Sequence, residues 1–372
     1  MPRRLALALS LAMVSTGLLA GCGDSGTTPA PEPSPAPEAA PAPPPEPPAV
    51  DRAGLRTRGK ALFPALPDEA TNPDNPVTEE KIELGRLLYY DARLSKNHDI
   101  SCNSCHPLDR FGVDGEPTSP GHKGQRGGRN SPTVYNAAFH VAQFWDGRAP
   151  DVEAQAKGPV LNPIEMAMPD EASVLVVLNS IPGYSPLFAA AFPGEDDPIR
   201  YDNMARAIGA FERRLVTPSR FDAFLEGRDD ALSDRELAGL ETFVSAGCIQ
   251  CHVGATLGGG SYQKLGRNVP YPTEDKGREE FTGDEADRYF FKVPSLRNVA
   301  KTGPWFHDGS IPVLAEAIRL MGKHQLGVDL TRRQLSDIAA FLGALTGEPD
   351  ASFVAMPELP ASGPDTPAPD PS

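Results

Sequence analysis

Cys102-Asn103-Ser104-Cys105-His106 and Cys248-Ile249-Gln250-Cys251-His252 decide how this chain is read. A Cys-X-X-Cys-His run sets two thiols where they can add to the two vinyl groups of one haem, and the adjacent histidine coordinates the iron from the proximal side. A zinc site or a redox dithiol would need further ligands or a thioredoxin-like context that the sequence does not supply. The chain holds five cysteines, so the two runs leave only Cys22 outside them and no pair for a disulfide. Two c-type haems are therefore expected, attached through Cys102, Cys105, Cys248 and Cys251, with His106 and His252 as proximal ligands.

Working outward, each run follows a helical segment. Ser233-Asp234-Arg235-Glu236 reads as a capping box that opens a helix with Leu237, Leu240 and Val244 on one face, ending near Gly247. Thr78 can cap a helix carrying Ile82 and Leu88 before the first run. Stripes of period 3.6 recur at Met204, Ala207, Ile208, Phe211 and Leu215, and at Leu335, Ile338, Ala339, Leu342 and Leu345. Sustained strand alternation is missing. The fold class is mostly α: two tandem c-type cytochrome domains, each around one covalently bound haem, over residues 51–217 and 218–349, with a boundary near Thr217 and Pro218.

The ends read differently. Arg3 and Arg4 precede an apolar stretch from Leu5 to Ala20, the layout of a secretory signal over residues 1–21. Leu19-Ala20-Gly21-Cys22 resembles a lipobox and predicts a lipidated Cys22, which would hold a periplasmic domain at a membrane without spanning it. Residues 22–50 are rich in Pro, Ala and Glu, and as an extended polyproline II tether could reach roughly 80 Å. Residues 350–372 form a C-terminal tail whose Pro- and Asp-rich part from Ser362 to Ser372 is expected to be disordered. No second apolar run approaches the length of a membrane span. The formal charge of −15 excludes a general nucleic-acid binder and suits a positively charged redox partner.

The sixth ligand decides between an electron carrier and an enzyme, because an open or displaceable position lets a small substrate reach the iron. For the second haem, Met321 ends the stripe Leu314, Ala317, Ile318, Met321, where it is either a core residue or a thioether ligand that raises the potential. For the first, His122 in Gly121-His122-Lys123-Gly124-Gln125-Arg126-Gly127-Gly128 competes with Met166; the glycines make that loop mobile, as a displaceable ligand requires. Glu165, in Asn162-Pro163-Ile164-Glu165-Met166, is either a solvated carboxylate or an acid/base group able to carry a proton between the two oxygens of peroxide.

From roughly Thr78 to Gly347 the chain resembles the bacterial dihaem cytochrome c peroxidases. The resemblance is carried by the first haem run, Arg129-Asn130-Ser131-Pro132, Phe144-Trp145-Asp146-Gly147-Arg148-Ala149, Val293-Pro294-Ser295-Leu296-Arg297-Asn298-Val299 and Phe306-His307-Asp308-Gly309-Ser310. It implies that His106 and the displaceable His122 bracket the peroxide-reacting haem, while His252 and Met321 are the axial pair of the high-potential haem. It makes Glu165 the acid/base residue, with Gln155 and Pro159 in its pocket, and puts Trp145 between the haems as an electron route. It also implies a calcium ion held by Asn130, Thr302 and Pro304, hydrogen peroxide as substrate, a small cytochrome c or cupredoxin as donor, and a homodimer in some members. The His307-Asp308-Gly309 run reads as structural, and His98, His140 and His324 receive no role. Rival readings are a non-catalytic dihaem carrier and a protein-modifying dihaem oxidase; the latter's relative carries tyrosine where this chain has Met321.

Overall fold

The computed structural model describes residues 51–372. The signal, lipidation and tether expectations fall on residues 1–50, outside the described residues. Helices dominate, and the strands Tyr262–Lys264 and Phe290–Lys292 form one short antiparallel pair in which Tyr262 faces Lys292.

Two apolar cores organise the helices. In the first, Glu79–Tyr90 packs on Tyr201–Glu212, flanked by Val152–Leu161 and Glu171–Ser180, with Leu84, Met204, Phe188 and Phe211 fully buried. In the second, Asp234–Ser245 packs on Arg332–Ala344, with Leu237, Phe221 and Phe341 buried. The two crossings share a device. A Cβ at Gly85 would lie 1.9 Å from the Ala207 carbonyl oxygen, and one at Gly239 would lie 2.0 Å from that of Asp337. Each helix pair thus meets backbone to backbone, an approach only glycine permits. The starts follow the expected caps: Thr78 accepts from the Lys81 N–H, and Ser233 and Glu236 form a full capping box.

The terminal segments cross over. The helix Arg52–Leu62 lies in the second core, not with the first half as the expected boundaries have it: Leu55 and Phe63 are buried there, and the Phe63 and Phe221 rings meet edge-on at 5.7 Å. The tail, expected to be disordered from Ser362, instead runs over the first core. Val354 is buried, the Phe353 ring stands 5.3 Å from that of Phe211, and Tyr90 donates its hydroxyl to the Val354 carbonyl. Further on, Thr366 donates to the Ser180 carbonyl and the Asp370 N–H to the Lys96 carbonyl. The physical reason is that a few buried apolar residues anchor the tail's start, and single polar contacts, one from a hydroxyl and one from a backbone N–H, hold the Pro-rich remainder.

Near Thr217 the chain is not an exposed linker. The Thr217 hydroxyl accepts from the side-chain amides of both Asn136 and Asn298, each at 2.9 Å, and all three residues are buried. Asn136 and Asn298 both adopt positive φ, 61° and 60°, ahead of matching one-turn helices. The correspondence continues at Phe144-Trp145-Asp146-Gly147 and Phe306-His307-Asp308-Gly309, where Phe and Gly have positive φ in both copies and flanking bridges join Gln143 to Ala149 and Trp305 to Ile311. His307 thus occupies the repeat position of Trp145.

Candidate haem sites

Around the first run, Ser101 and Ser104 cap each other over the short turn Cys102–Cys105, and the Tyr89 hydroxyl holds the His106 carbonyl at 2.8 Å. His106 Nδ1 lies 3.3 Å from the Gly112 carbonyl; His252 Nδ1 lies 3.0 Å from that of Leu257. A ring held through Nδ1–H leaves Nε2 as the free ligand atom. Burial pushes both imidazoles below their ordinary range, which keeps them neutral and able to coordinate. The four cysteines of the runs form no disulfide. Burial pushes the Cys105 thiol up to about 11 and that of Cys248 up to about 12, so neither is held as a thiolate. Both runs therefore fit haem attachment.

Within electrostatic reach of Cys102 and Cys105, two further loops run together. The His122 N–H donates to the Glu165 carbonyl at 2.8 Å, and the Gly121 N–H to that of Gln125 at 2.8 Å. A Cβ at Gly121 would lie 2.0 Å from the Ile164 carbonyl oxygen, so glycine permits the contact. His122 is buried and its Nε2 stands 3.3 Å from the Ser372 carbonyl oxygen. The loop is thus stitched on its His122 side, whereas Gly127 and Gly128 face open space. Glu165 is half-buried; burial raises its carboxyl above the usual range, against the opposing pull of Arg148 and Asn162. The Met166 N–H donates to the Pro159 carbonyl, which brings the helix Val152–Leu161 into this pocket, and Met166 itself is buried in the first core. Gln155 sits half-buried one turn before Pro159, and its side chain makes no hydrogen bond among the described residues.

The second site is a large apolar cavity walled by Cys248, Cys251, His252 and Met321, which brings the expected axial pair together. Trp145, Asn130, Thr302 and Pro304 line the same cavity. The Trp145 indole donates to the Asn130 carbonyl at 2.9 Å, and the Asn130 side-chain nitrogen donates to the carbonyls of Glu116 and Pro117. No cluster of three His, Cys, Asp or Glu suited to a metal occurs among the described residues. His307 is buried against Thr273 and its carbonyl accepts from the Asn130 N–H, placing the His307-Asp308-Gly309 run where the two halves meet. No single described helix is long and apolar enough to cross a membrane.

Residues 79–230 match the model of a family described as di-haem cytochrome c peroxidase. The chain is 44% identical over 329 residues to the cytochrome c551 peroxidase of Pseudomonas aeruginosa, covering 87% of this chain and 94% of the relative. It belongs to the dihaem cytochrome c peroxidase family. Another cytochrome c551 peroxidase, from Nitrosomonas europaea, is 47% identical over 308 residues, 82% of this chain and 90% of that one. The crystal structure of a MauG-like protein associated with microbial copper homeostasis superposes with a TM-score of 0.70 at 30% identity, covering 83% of this chain and 98% of that one. The dihaem peroxidases are oxidoreductases whose two c-type haems account for the pair of Cys-X-X-Cys-His runs, and this chain is one of them. His106, Glu165, His252 and His307 lie in turns or bends between the helices, and His122 opens the one-turn helix His122–Gly124. The residues that sequence reading missed in this dihaem peroxidase are Lys292, which faces the second cavity, and Glu212, buried beside Cys102.

Proposed function

We propose that this peroxidase reduces hydrogen peroxide to water, H2O2 + 2 e− + 2 H+ giving two H2O, and that release of His122 opens its substrate position. The observation that carries the reading is the hydrogen bond from the His122 N–H to the Glu165 carbonyl, which ties the candidate gate to the candidate acid/base on adjoining loops. When bound, the haems supply the iron that takes peroxide and the electrons that reduce it. The chain's residues supply the rest. Glu165, raised by burial, holds or releases a proton closer to neutral pH than a solvated glutamate would, and passes it between the two peroxide oxygens. Pro159 and Gln155 shape that pocket. His252 and Met321 favour the reduced state at the second site, where a small cytochrome c or cupredoxin delivers electrons, and Trp145 bridges towards the first.

Calcium belongs to the same reading. The Asn130 side-chain nitrogen is already engaged with carbonyls, which leaves its oxygen for a cation, joined by the backbone carbonyls of Thr302 and Pro304 with waters completing the shell. Export and lipidation at Cys22 place the enzyme in the periplasm at a membrane.

The test is peroxide turnover by the purified holoprotein, fully oxidised and then half-reduced, with the haem spin state followed by absorption. Turnover and a high-spin signal should both emerge on one-electron reduction. Glu165→Gln should lower turnover by about 10²–10⁴-fold with both haems and their spin states unchanged. A half-reduced protein that stays low-spin and inert to peroxide would make the chain an electron carrier instead.

A further inference from the structure

Lys292 is a buried cation without a counter-charge. The residue is 6% exposed, and it forms no ion pair with a carboxylate among the described residues. Its one side-chain partner is His140, whose Nδ1 stands 3.1 Å from the ammonium nitrogen. An ammonium can only donate, so Nδ1 is the acceptor and the imidazole proton sits on Nε2. That Nε2 is itself buried and has no hydrogen-bond partner. Two donor groups with unused protons therefore line the second cavity together with Cys251, His252 and Met321. Unpaired buried donors are costly, and a buried ammonium without an anion costs several kcal/mol.

The backbone holds both residues firmly. The Lys292 N–H donates to the Trp145 carbonyl at 2.7 Å and its strand pairs with Tyr262, while His140 is pressed against Gly259, where a Cβ would lie 2.2 Å from its ring. The pair is thus a fixed donor set, built from segments 152 residues apart, that faces an apolar cavity and lacks only an acceptor of negative charge. A c-type haem brings two propionates to such a cavity.

We infer that Lys292 and His140 clamp a propionate of the second haem, and that the Lys292 charge raises that haem's reduction potential by opposing the ferric state's extra positive charge. The inference rests on the reading of the second run as a haem site. A pyridine haemochrome count of two haems per chain checks that reading first, independently of the clamp.

The experiment is a spectroelectrochemical titration of the holoprotein. In Lys292→Met the ferrous-to-ferric ratio of the second haem, at a poise that half-reduces it in the wild type, should fall on the order of tenfold, the effect of one unit charge at partly screened distance. Lys292→Arg should restore most of it. Two attached haems with an unchanged ratio in Lys292→Met would overturn the clamp. Should that variant fail to mature, the resonance Raman propionate-bending band decides between wild type and Lys292→Arg: a shift between them supports the contact, and identical bands overturn it.

Discussion

His122 and Glu165, 43 positions apart, are joined by a single backbone hydrogen bond of 2.8 Å between the His122 N–H and the Glu165 carbonyl. Gly121 makes that contact possible, since any side chain there would strike the Ile164 carbonyl. The Gln125 side chain adds a second tie between the same loops, its amide nitrogen donating to the Pro163 carbonyl at 3.2 Å.

Gly121→Ala tests the contact. The added methyl should push the His122 loop off the Glu165 loop, so that the fully oxidised holoprotein already shows a high-spin first haem. Absorption and electron paramagnetic resonance spectra of the oxidised variant read this directly, and a low-spin spectrum like the wild type's would show that the loops part without consequence for His122.

The tail over the first core has its own signature. Removing residues 362–372 deletes the Asp370 N–H bond to Lys96 and the Thr366 bond to Ser180. Amide hydrogen exchange should speed up at residues 94–98 and 178–182, with the Arg332–Ala344 helix unchanged.

Glu153 and Arg213 form a buried two-bond ion pair, both contacts at 2.8 Å, and Asn75 adds a third donor to Glu153. Burial alone would raise this carboxyl, but the bonds from Arg213 and Asn75 outweigh it and hold it below the usual range. Glu153→Ala strands the guanidinium, and chemical denaturation should show a loss of about 3–5 kcal/mol.

Glu212 has the opposite sign. Burial, helped by the charge of Glu153 and opposed by Arg213, pushes its carboxyl from 4.5 up to about 8. The folded state then keeps a proton that the unfolded state releases, so stability falls as pH rises between those values. Glu212→Gln should be more heat-stable than the wild type at pH 8, by at least about 1 kcal/mol, with the gain fading towards pH 5. Thermal unfolding at both pH values measures it; an equal gain at both would exclude titration of Glu212 as the cause.

What local chemistry determines was legible without a structure. Cys-X-X-Cys-His acts over five residues, capping boxes over four, and apolar stripes over two turns, so the haem runs and the helices they follow could be read directly. The resemblance named His122, Glu165 and Met321, and the structure brings the first two into contact and has Met321 line the same cavity as His252. The repeat relating Trp145 to His307 was present in the sequence as Phe-Trp-Asp-Gly and Phe-His-Asp-Gly, and the structure adds that the shared Phe and Gly take positive φ in both copies. Tertiary structure alone decided the crossover of the terminal segments, because the tail is held by scattered contacts of Phe353, Val354, Thr366 and Asp370 with distant residues and Arg52–Leu62 by a core whose other members lie far later in the chain. It alone decided the Lys292–His140 pair as well. A lysine in a sequence reads as solvated charge, and only the packing of Trp145, Gly259 and the short strand pair around Lys292 and His140 removes it from water and turns it towards an apolar cavity.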